Sequence, residues 1–447
     1  METITTVERL IKTYSGIYHQ NKGVFSDALS NHRQEAVSVF ESMGVPNKSD
    51  ERYKYLDLTP WFDHTYGYTI QPEKLKLDSE QVFQCDVPRF DMHEIITING
   101  FFHSHTKPHE LPLGVWIGSL AKALQEIPEK VIPYLDVDVN LADSLVSLNK
   151  AVFRDGIFIY LPKNCNFHSS IQIINLQLAQ DDMFVSPRNL IVLEGNSSVN
   201  LVICDHTLSQ NKFLSNQLTE IVVKEGAQLD VTNMQNIHNN AGAINHTNIM
   251  QKANSRVNYT VLSLHGGMIR NNIAAKLDGV GADNSTNGLY MTDGSQIIDF
   301  NVLIDHAKPS CTSNQLIKGI LDDTSVGSFN GKIMVARDAQ KTAAFQKCNN
   351  LLLKDTAKVN TRPQLEIYAD DVKCSHGATV GQIDPDALFY LRARGISKDE
   401  ARMLLMFAFA HEIVQNIKFE NLRFRIDEIV NKRLRKELTR CHNCQAL

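Results

Sequence analysis

Residues 221–231 read IVVKEGAQLDV, a β-branched run, a charged turn with glycine, and a second run that alternates apolar and polar residues. The same order recurs at 191–201 (IVLEGNSSVNL) and more loosely at 253–259 (ANSRVNY) and 351–360 (LLLKDTAKVN). The first three units start roughly thirty residues apart, a spacing typical of the stacked coils of a β-solenoid. A sandwich of irregular strands is the alternative interpretation, but the repeat favours the solenoid.

The repeats lie inside a region of short β-branched runs separated by Gly, Asn and Asp, from about residue 156 to residue 372. Before it, apolar residues at helical spacing predict helices around 7–17 and 36–43, and a short one at 118–127. The run IITING at 95–100 predicts a strand that enters a tight turn, because Asn-Gly readily adopts the positive φ of a hairpin.

The chain becomes helical again near its end. Asp384 can cap a helix that opens with proline, and Gly395 supplies a left-handed stop. Ser397 and Glu400 form a capping box for a second helix. That helix carries MLLMFAFA at 403–410, which is apolar on nearly all sides, so we expect burial either within its own domain or against a partner protein.

The length of 447 residues exceeds one typical core, so the patterns are best divided into domains. We expect a mostly helical domain over 1–135, a β-solenoid core over 136–375 and a helical domain over 376–447.

Composition excludes several classes of function. A net charge of -5 gives no basic footprint for nucleic acid or anionic membranes, and the apolar run at 403–410 is too short to cross a bilayer. The amino-terminal METI has no basic segment followed by an apolar run, so we expect a cytoplasmic protein. The eight cysteines are scattered, which indicates reduced thiols rather than a disulfide framework.

Cys374 and His376 are the strongest candidates for chemistry. At positions i and i+2 of a strand they lie on one face, about 6.5 to 7 Å apart. Both residue types suit iron or zinc, but two ligands make at most half a site, and the others would come from elsewhere or from another chain. A buried cysteine beside a hydrogen-bonded histidine is the commoner structural interpretation of such a pair.

Two further clusters are weaker candidates. His103, His105 and His109 are closely spaced, and a solvated loop is the favoured interpretation because no carboxylate or thiol is interleaved. Cys441 and Cys444 form a C-x-x-C motif without a second pair, which indicates a flexible tail rather than a metal site.

The run DDVKCSHGATVG at 370–381, continued by LFYLRARGI at 388–396, resembles the SufB/SufD family of the Suf iron-sulfur cluster assembly system. The likeness extends upstream to PQLEI at 363–367 and to the region 51–55, where the family more often has Trp at the position of Tyr53. The motif CSHGAT is similar to SufD, whereas SufB-like chains typically have acidic residues in place of its Ser and Gly.

The resemblance implies a right-handed parallel β-helix core and a non-catalytic scaffold subunit. It implies pairing with SufB through the β-helices and docking of the SufC ATPase on the C-terminal helices. It places Cys374 and His376 near the SufB-SufD interface, where a transient iron or iron-sulfur cluster would be shared with SufB, with no cofactor tightly bound to the isolated chain. The docking positions it suggests are Leu388, Tyr390, Arg394, Gly395, Leu404 and Phe407.

Two alternatives remain open at the level of sequence. The isolated chain could form a homodimer through the edge that it would otherwise offer to SufB. A β-solenoid enzyme or binding protein that acts on a polymer is the second functional hypothesis, and it would need carboxylates that converge in an open groove.

Overall fold

The computed structural model describes residues 27–69, 92–105, 111–139, 143–168 and 170–437. A β-solenoid of about eight coils spans residues 158–381, which confirms the fold class expected from the repeats. A region of mixed helices and strands precedes it, and helices follow it.

Twenty strands are described. They are β1 His93–Ile98, β2 Phe101–His105, β3 Trp116–Ser119, β4 Ile157–Leu161, β5 Ile171–Gln177, β6 Met183–Val185, β7 Arg188–Leu193, β8 Ser198–Thr207, β9 Phe213–Val223, β10 Gln228–Asn236, β11 Ala241–Gln251, β12 Arg256–His265, β13 Met268–Leu277, β14 Asp283–Thr292, β15 Ile297–His306, β16 Thr312–Leu321, β17 Val326–Val335, β18 Thr342–Leu352, β19 Lys358–Ile367 and β20 Val372–Gly381.

Each coil contributes one strand to each of two sheets. The first sheet has the order β2-β1-β5-β8-β10-β12-β14-β16-β18-β20, and the second has the order β19-β17-β15-β13-β11-β9-β7-β4-β3. Pairing along the coils is parallel and in register, as in Leu229 beside Val257. Side chains that alternate toward the interior therefore stack in columns, and they form the largest apolar core of the molecule.

The turns between strands explain the Asn and Gly of the repeat. Asn196, Gly226 and Asn254 occupy equivalent turns with φ of 58°, 68° and 54°. A Cβ atom on Gly226 would lie 2.3 Å from Oδ1 of Asn196, so the stacked turns leave room only for glycine there.

Helices and strands are mixed in the described residues before 136, where the sequence predicted mostly helices. The helices are α1 Asp27–Met43, α2 Thr59–Phe62, α3 Leu120–Glu126 and α4 Pro128–Val131, with 3-10 helices Glu51–Tyr53 and Ile132–Tyr134; helix α5 Ser144–Val152 follows. Strand β1 is fully buried and pairs in parallel with β5, so it belongs to the solenoid sheet. The predicted stripe at 7–17 lies outside the described residues.

The predicted Asn-Gly turn is confirmed. Asn99 and Gly100 have φ of 51° and 83° and join β1 to the antiparallel strand β2. Strand β3 is likewise antiparallel to β4, so antiparallel strands end both sheets on the N-terminal side.

Buried ion pairs hold the N-terminal region on the solenoid. Arg188, which is 2% exposed, contacts Asp136 at 2.8 Å and Glu220 at 2.7 Å. The fully buried guanidinium of Arg270 pairs with Asp299 and lies 3.7 Å from the centre of the Tyr53 ring.

In the described part of the chain, three helices follow β20: α6 Pro385–Ala393, α7 Lys398–Val414 and α8 Glu420–Leu434. The predicted caps are confirmed, because the Asp384 carboxylate accepts hydrogen bonds from the first turn of α6 and the Ser397 hydroxyl accepts one from Glu400 N. Gly395 has φ of 87°. The last strand runs to Gly381, so the β region continues past the expected boundary at 375.

Helices α7 and α8 pack on the outer face of the first sheet through an apolar cluster that includes Met234, Leu262 and Met406. Arg433 anchors α8, because it donates to Leu264 O at 2.8 Å and pairs with Asp293 at 2.8 Å. No helix of the described residues is long and apolar enough to cross a membrane.

Candidate functional site

The C-terminal end of the solenoid is formed by β19 and β20. Within the described part of the chain, β20 pairs with β18 and β19 pairs with β17, and each is the last strand of its sheet. Every residue from Ser375 to Gly381 is exposed. The outer edges of both strands thus present unpaired backbone groups, which is a template for pairing with another chain.

Cys374 and His376 lie on the interior-facing side of β20. Parallel pairing places Cys374 beside Ala344 and His376 beside Gln346. Ala344 and Gln346 are buried in the solenoid, and in-register neighbours in parallel strands face the same way. The two candidate ligands therefore lie at the open end of the interior rather than on the outer wall.

The environments of the two side chains differ. Cys374 is half-buried and packs against an apolar cluster that includes Ala344 and Ala369, whereas His376 is exposed. Burial raises the pKa of the Cys374 thiol, so the thiol stays protonated near neutral pH unless a cation lies beside it. A bound metal ion would supply that cation and displace the proton.

The coordination set on this chain is small. Within the residues that the structure describes, no three His, Cys, Asp or Glu side chains gather where they could hold a metal ion. Cys374 and His376 supply one sulfur and one nitrogen donor, and a tetrahedral iron or zinc site needs about four. Further donors would have to come from another molecule.

The interior just below the open end is polar, which the sequence analysis missed. The Tyr290 hydroxyl donates to Asn350, and the Asn350 amide donates to the sulfur of Cys348 at 3.3 Å. Gly319 makes room for this contact, because a Cβ there would lie 2.3 Å from the Tyr290 ring. Burial raises the pKa of Cys348 to about 12, so this thiol stays protonated. The signal in the sequence was the spacing of Cys348 and Asn350, which are two residues apart in a strand and so face the same side.

The proposed docking positions lie on α6, on α7 and between them. Tyr390 is 57% exposed, and the Arg394 guanidinium lies 3.6 Å from the centre of its ring. Leu404 is 43% exposed, and Leu388 is partly buried. Phe407 is partly buried, packs against the cluster beneath the helices and stacks on His411, so it contributes to the domain's own core.

Helices α6 and α8 each carry an exposed aromatic residue that was not predicted from the sequence. Phe389 is 74% exposed and Phe424 is 68% exposed. Sequence could have indicated them only through knowledge of which helix face packs on the sheet.

The first two histidines of the cluster lie in a strand, not in the predicted solvated loop. His103 and His105 belong to strand β2, because the Asn99-Gly100 turn returns the chain along β1. Burial lowers the pKa of His103, which favours its neutral form. His109, Cys441 and Cys444 lie outside the described residues.

A groove of about 1110 Å³ on the outer face of the second sheet bears on the polymer hypothesis. Each carboxylate of the groove forms an ion pair with a basic side chain. Glu51 pairs with Arg362, and Glu366 pairs with Lys332 at 2.6 Å. Asp50 pairs with Arg52 at 2.8 Å. Carboxylates neutralised in this way are structural ion pairs, and they do not form the acid and base couple that hydrolysis of a polymer needs.

Comparisons with known proteins agree along most of the chain. The family described as "SUF system FeS cluster assembly, SufBD core domain" matches residues 176–409, and the family described as "SufBD protein N-terminal region" matches residues 8–173.

Individual relatives carry the same description. An iron-sulfur cluster assembly SufBD family protein of Synechocystis sp. is 30% identical over 92% of both chains. The iron-sulfur cluster assembly protein SufD of Escherichia coli is 42% identical over 38% of this chain and 40% of its own. SufD of Bacillus subtilis is 25% identical over 91% of this chain and 94% of its own.

Proposed function

Because this chain belongs to the SufBD family of the SUF iron-sulfur cluster assembly system, we propose that it is the SufD-like scaffold subunit of an assembly complex. It pairs with a SufB-like chain through the open end of the solenoid and binds a SufC-like ATPase through its C-terminal helices. It has no catalytic step of its own, and ATP hydrolysis belongs to the SufC-like subunit.

The observation that carries this proposal is the open end itself. Strands β19 and β20 leave their outer edges unpaired in the described residues, and Cys374 and His376 lie on that surface. A partner that extends the sheets would cover the exposed backbone and bring its own donor groups beside these two side chains. Pairing and ligand completion would then be one event.

Two observations favour SufD over SufB. The motif CSHGAT at 374–379 matches the SufD-like pattern, and relatives from Escherichia coli and Bacillus subtilis carry the name SufD. Because Ser375 and Gly377 are not acidic, the donors of this motif are the thiol of Cys374 and the imidazole of His376. These soft and borderline donors suit iron.

Iron and sulfide are the cargo of this scaffold rather than its resident cofactor. A thiol whose pKa is raised by burial and a solvent-exposed imidazole bind iron weakly when they act alone. The site would hold iron firmly only when a partner completes it, which suits a scaffold that must release the cluster.

The docking proposal relies on exposed apolar area. Phe389, Tyr390 and Leu404 expose large apolar side chains on two adjacent helices, although α7 and α8 already have a buried contact with the sheet. Exposed aromatic residues on a helix surface are typical anchors of protein interfaces.

The test is co-expression of this chain with a SufB-like chain and a SufC-like ATPase, followed by purification through a tag on this chain. We expect all three chains to co-purify. Anaerobic reconstitution with iron and sulfide should give an iron-sulfur absorption spectrum that the His376→Ala variant loses.

His168→Ala is the matched control, because His168 is also exposed but lies in an early coil. It should leave the spectrum unchanged. Purification of this chain without either partner would contradict the proposed complex, and equal loss of soluble protein in the His376→Ala variant would show a structural histidine.

A further inference from the structure

A ladder of polar side chains runs through the interior to His376. Thr286, Gln315, Gln346 and His376 occupy successive in-register positions on β14, β16, β18 and β20. The Gln346 amide nitrogen donates to Oε1 of Gln315 at 2.9 Å. The donor, Gln346, lies on β18, and the acceptor, Gln315, lies on the preceding strand β16. If the same direction continues, His376 on β20 would donate to Gln346.

Gln346 has an unused acceptor at this position. The residue is 1% exposed, and its Oε1 is buried without a hydrogen-bond partner among the described residues. Folded proteins rarely leave a buried amide oxygen unsatisfied, and each such atom needs an explanation.

The side chain of Gln346 is also held firmly. A Cβ on Gly331 would lie 2.3 Å from the Gln346 amide nitrogen, so the glutamine fills space that glycine leaves open. The ring of Phe329 reaches the same space. A fixed acceptor beneath an exposed imidazole can orient that imidazole.

We propose that Gln346 is the positioning residue of His376: the exposed imidazole turns one ring N–H toward the unpartnered Oε1 of Gln346, which accepts its hydrogen bond, and the other ring nitrogen then faces the open end. The hydrogen bond selects one neutral tautomer, and an imidazole held in this way is a better metal ligand than a freely rotating one. The value of this orientation for cluster assembly rests on the proposed function, but the hydrogen bond itself does not.

The test measures the tautomer of His376 by NMR of the isolated chain labelled with ¹⁵N-histidine. We expect a preference of at least about fivefold for one neutral tautomer of His376, and no such preference at the exposed His168. Gln346→Leu should reduce the preference at His376 to that of His168. Gln346→Glu keeps the shape of the side chain and an oxygen that accepts a hydrogen bond, so it should keep the preference.

Gln382→Leu is the control variant, because Gln382 is exposed and its amide contacts Asp355 on the surface. It should leave the tautomer preference of His376 unchanged. Identical tautomer ratios at His376 and His168 in the wild-type chain would overturn the proposal, as would a tautomer preference at His376 that Gln346→Leu leaves unchanged. The measurement does not depend on SufB-like or SufC-like partners, so failure here is distinct from failure of the proposed function.

A second inference comes from a small cavity at the other end of the solenoid. It has a volume of about 30 Å³ and lies between the two sheets, with Asn175, Gln177, Asp205, Gln217 and Asn245 in its wall. That volume accommodates one or two particles of the size of a water molecule.

Asp205 brings a charge to this cavity. Its Oδ1 accepts a hydrogen bond from the Asn175 amide at 2.8 Å, and Asn175 in turn accepts one from Thr97 at 2.8 Å. No cationic side chain among the described residues pairs with Asp205. Burial raises the pKa of Asp205 to about 6, so the carboxyl is mostly ionised above neutral pH without a compensating charge.

The other oxygens in the wall are also free to accept. Oε1 of Gln177 is buried without a partner in the described chain. Gln217 and Asn245 use their amide nitrogens on Thr219 and Asn271, and no hydrogen bond to their carbonyl oxygens is formed by the described residues. The cavity therefore has more acceptors than donors.

We infer that this cavity binds a monovalent cation of the potassium or ammonium class, with the Asp205 carboxylate and the amide oxygens of its wall as ligands. Oxygen donors suit such cations, and one positive charge would neutralise the buried carboxylate. Water molecules alone would satisfy the acceptors without supplying the charge.

The test compares thermal unfolding of the whole chain at pH 8 in potassium chloride and in choline chloride of equal ionic strength. We expect Tm to be higher in potassium by about 1 to 2 °C, and the difference to vanish in Asp205→Asn. Asp370→Asn removes an exposed carboxylate and should keep the difference.

Anomalous diffraction from crystals soaked in thallium(I) gives a second measurement that needs no variant. A peak beside Asp205 is expected. Equal Tm values in the two salts together with no thallium peak would show that water alone occupies the cavity.

Discussion

The two ends of the solenoid are finished in different ways. At the N-terminal end, antiparallel strands β2 and β3 terminate the sheets, and Asp136 pairs with the buried Arg188. At the C-terminal end, β19 and β20 stop the sheets in parallel register, and Ser375 to Gly381 are exposed. Among the described residues, one end is closed by antiparallel strands, and the other leaves the outer edges of β19 and β20 unpaired.

The interior of the solenoid also differs between its early and late coils. Early coils stack apolar residues such as Ile173 and Ile203, although the Asp205 cavity interrupts them. Late coils stack Gln315, Gln346 and His376 in one column. A polar interior costs stability unless it is fully hydrogen-bonded, so the late coils should depend more on their hydrogen bonds than the apolar columns of the early coils.

The closed end can be broken most strongly at Arg188. Replacing Arg188 with Met leaves Glu220 buried without its partner, and we expect the free energy of unfolding to fall by about 3–5 kcal/mol. Urea unfolding measures the change. Lys150→Met is the control, because among the described residues Lys150 pairs with the more accessible Asp136 alone, and its loss should cost at most about 1 kcal/mol. Equal losses in the two variants would contradict a clamp at Arg188.

The open end can be blocked with a single charge. Val380→Lys places an ammonium on the surface that the SufB-like chain would cover, and we expect its affinity to fall about 30-fold, or about 2 kcal/mol. Sedimentation or quantitative co-purification measures it. Val280→Lys is the matched control, because the two valines are 50% and 48% exposed. If both variants pair normally, the partner does not dock at the last coil.

The polar interior of the late coils predicts acid sensitivity. Burial lowers the pKa of His306 to about 4. Between pH 6.5 and 4, His306 is therefore protonated in the unfolded chain and neutral in the folded chain. Stability is therefore lost as the pH falls, by about 2 kcal/mol at pH 5 for this group. His306→Gln should lose about that much less than the wild type between pH 7.5 and pH 5 in urea unfolding. The same pH dependence in both proteins would show that His306 is accessible to protons.

The helices beyond the open end give the smallest expected effect. Phe389→Asp should weaken binding of the SufC-like ATPase about tenfold, because one exposed aromatic anchor contributes roughly 1–2 kcal/mol. Binding is measured with the purified ATPase. Leu113→Asp, at a residue 98% exposed elsewhere, should have no effect. Phe407→Ala should instead lower stability, since that ring packs against the helices' own core.

Local rules decide the parts of the structure that could be predicted from the sequence. The repeat at 191–259 predicted stacked coils, the Asn99-Gly100 turn formed as expected, and the caps at Asp384 and Ser397 are present. The prediction of a solvated loop was wrong for His103 and His105, which belong to strand β2. That error arose because their strand is defined by its pairing with β1, which a local pattern of polar residues does not reveal.

The sequence by itself determined the coil, because each turn needs residues that tolerate positive φ and each strand needs alternating side chains, and both requirements are local. It also placed Cys374 and His376 on one face of a strand. Only the tertiary structure decided that this strand is the last one, that Gln346 lies under His376, and that Phe389 faces solvent while Phe407 packs inward. Those facts depend on where stacking stops and which helix face meets the sheet, and such contacts join residues far apart in the chain.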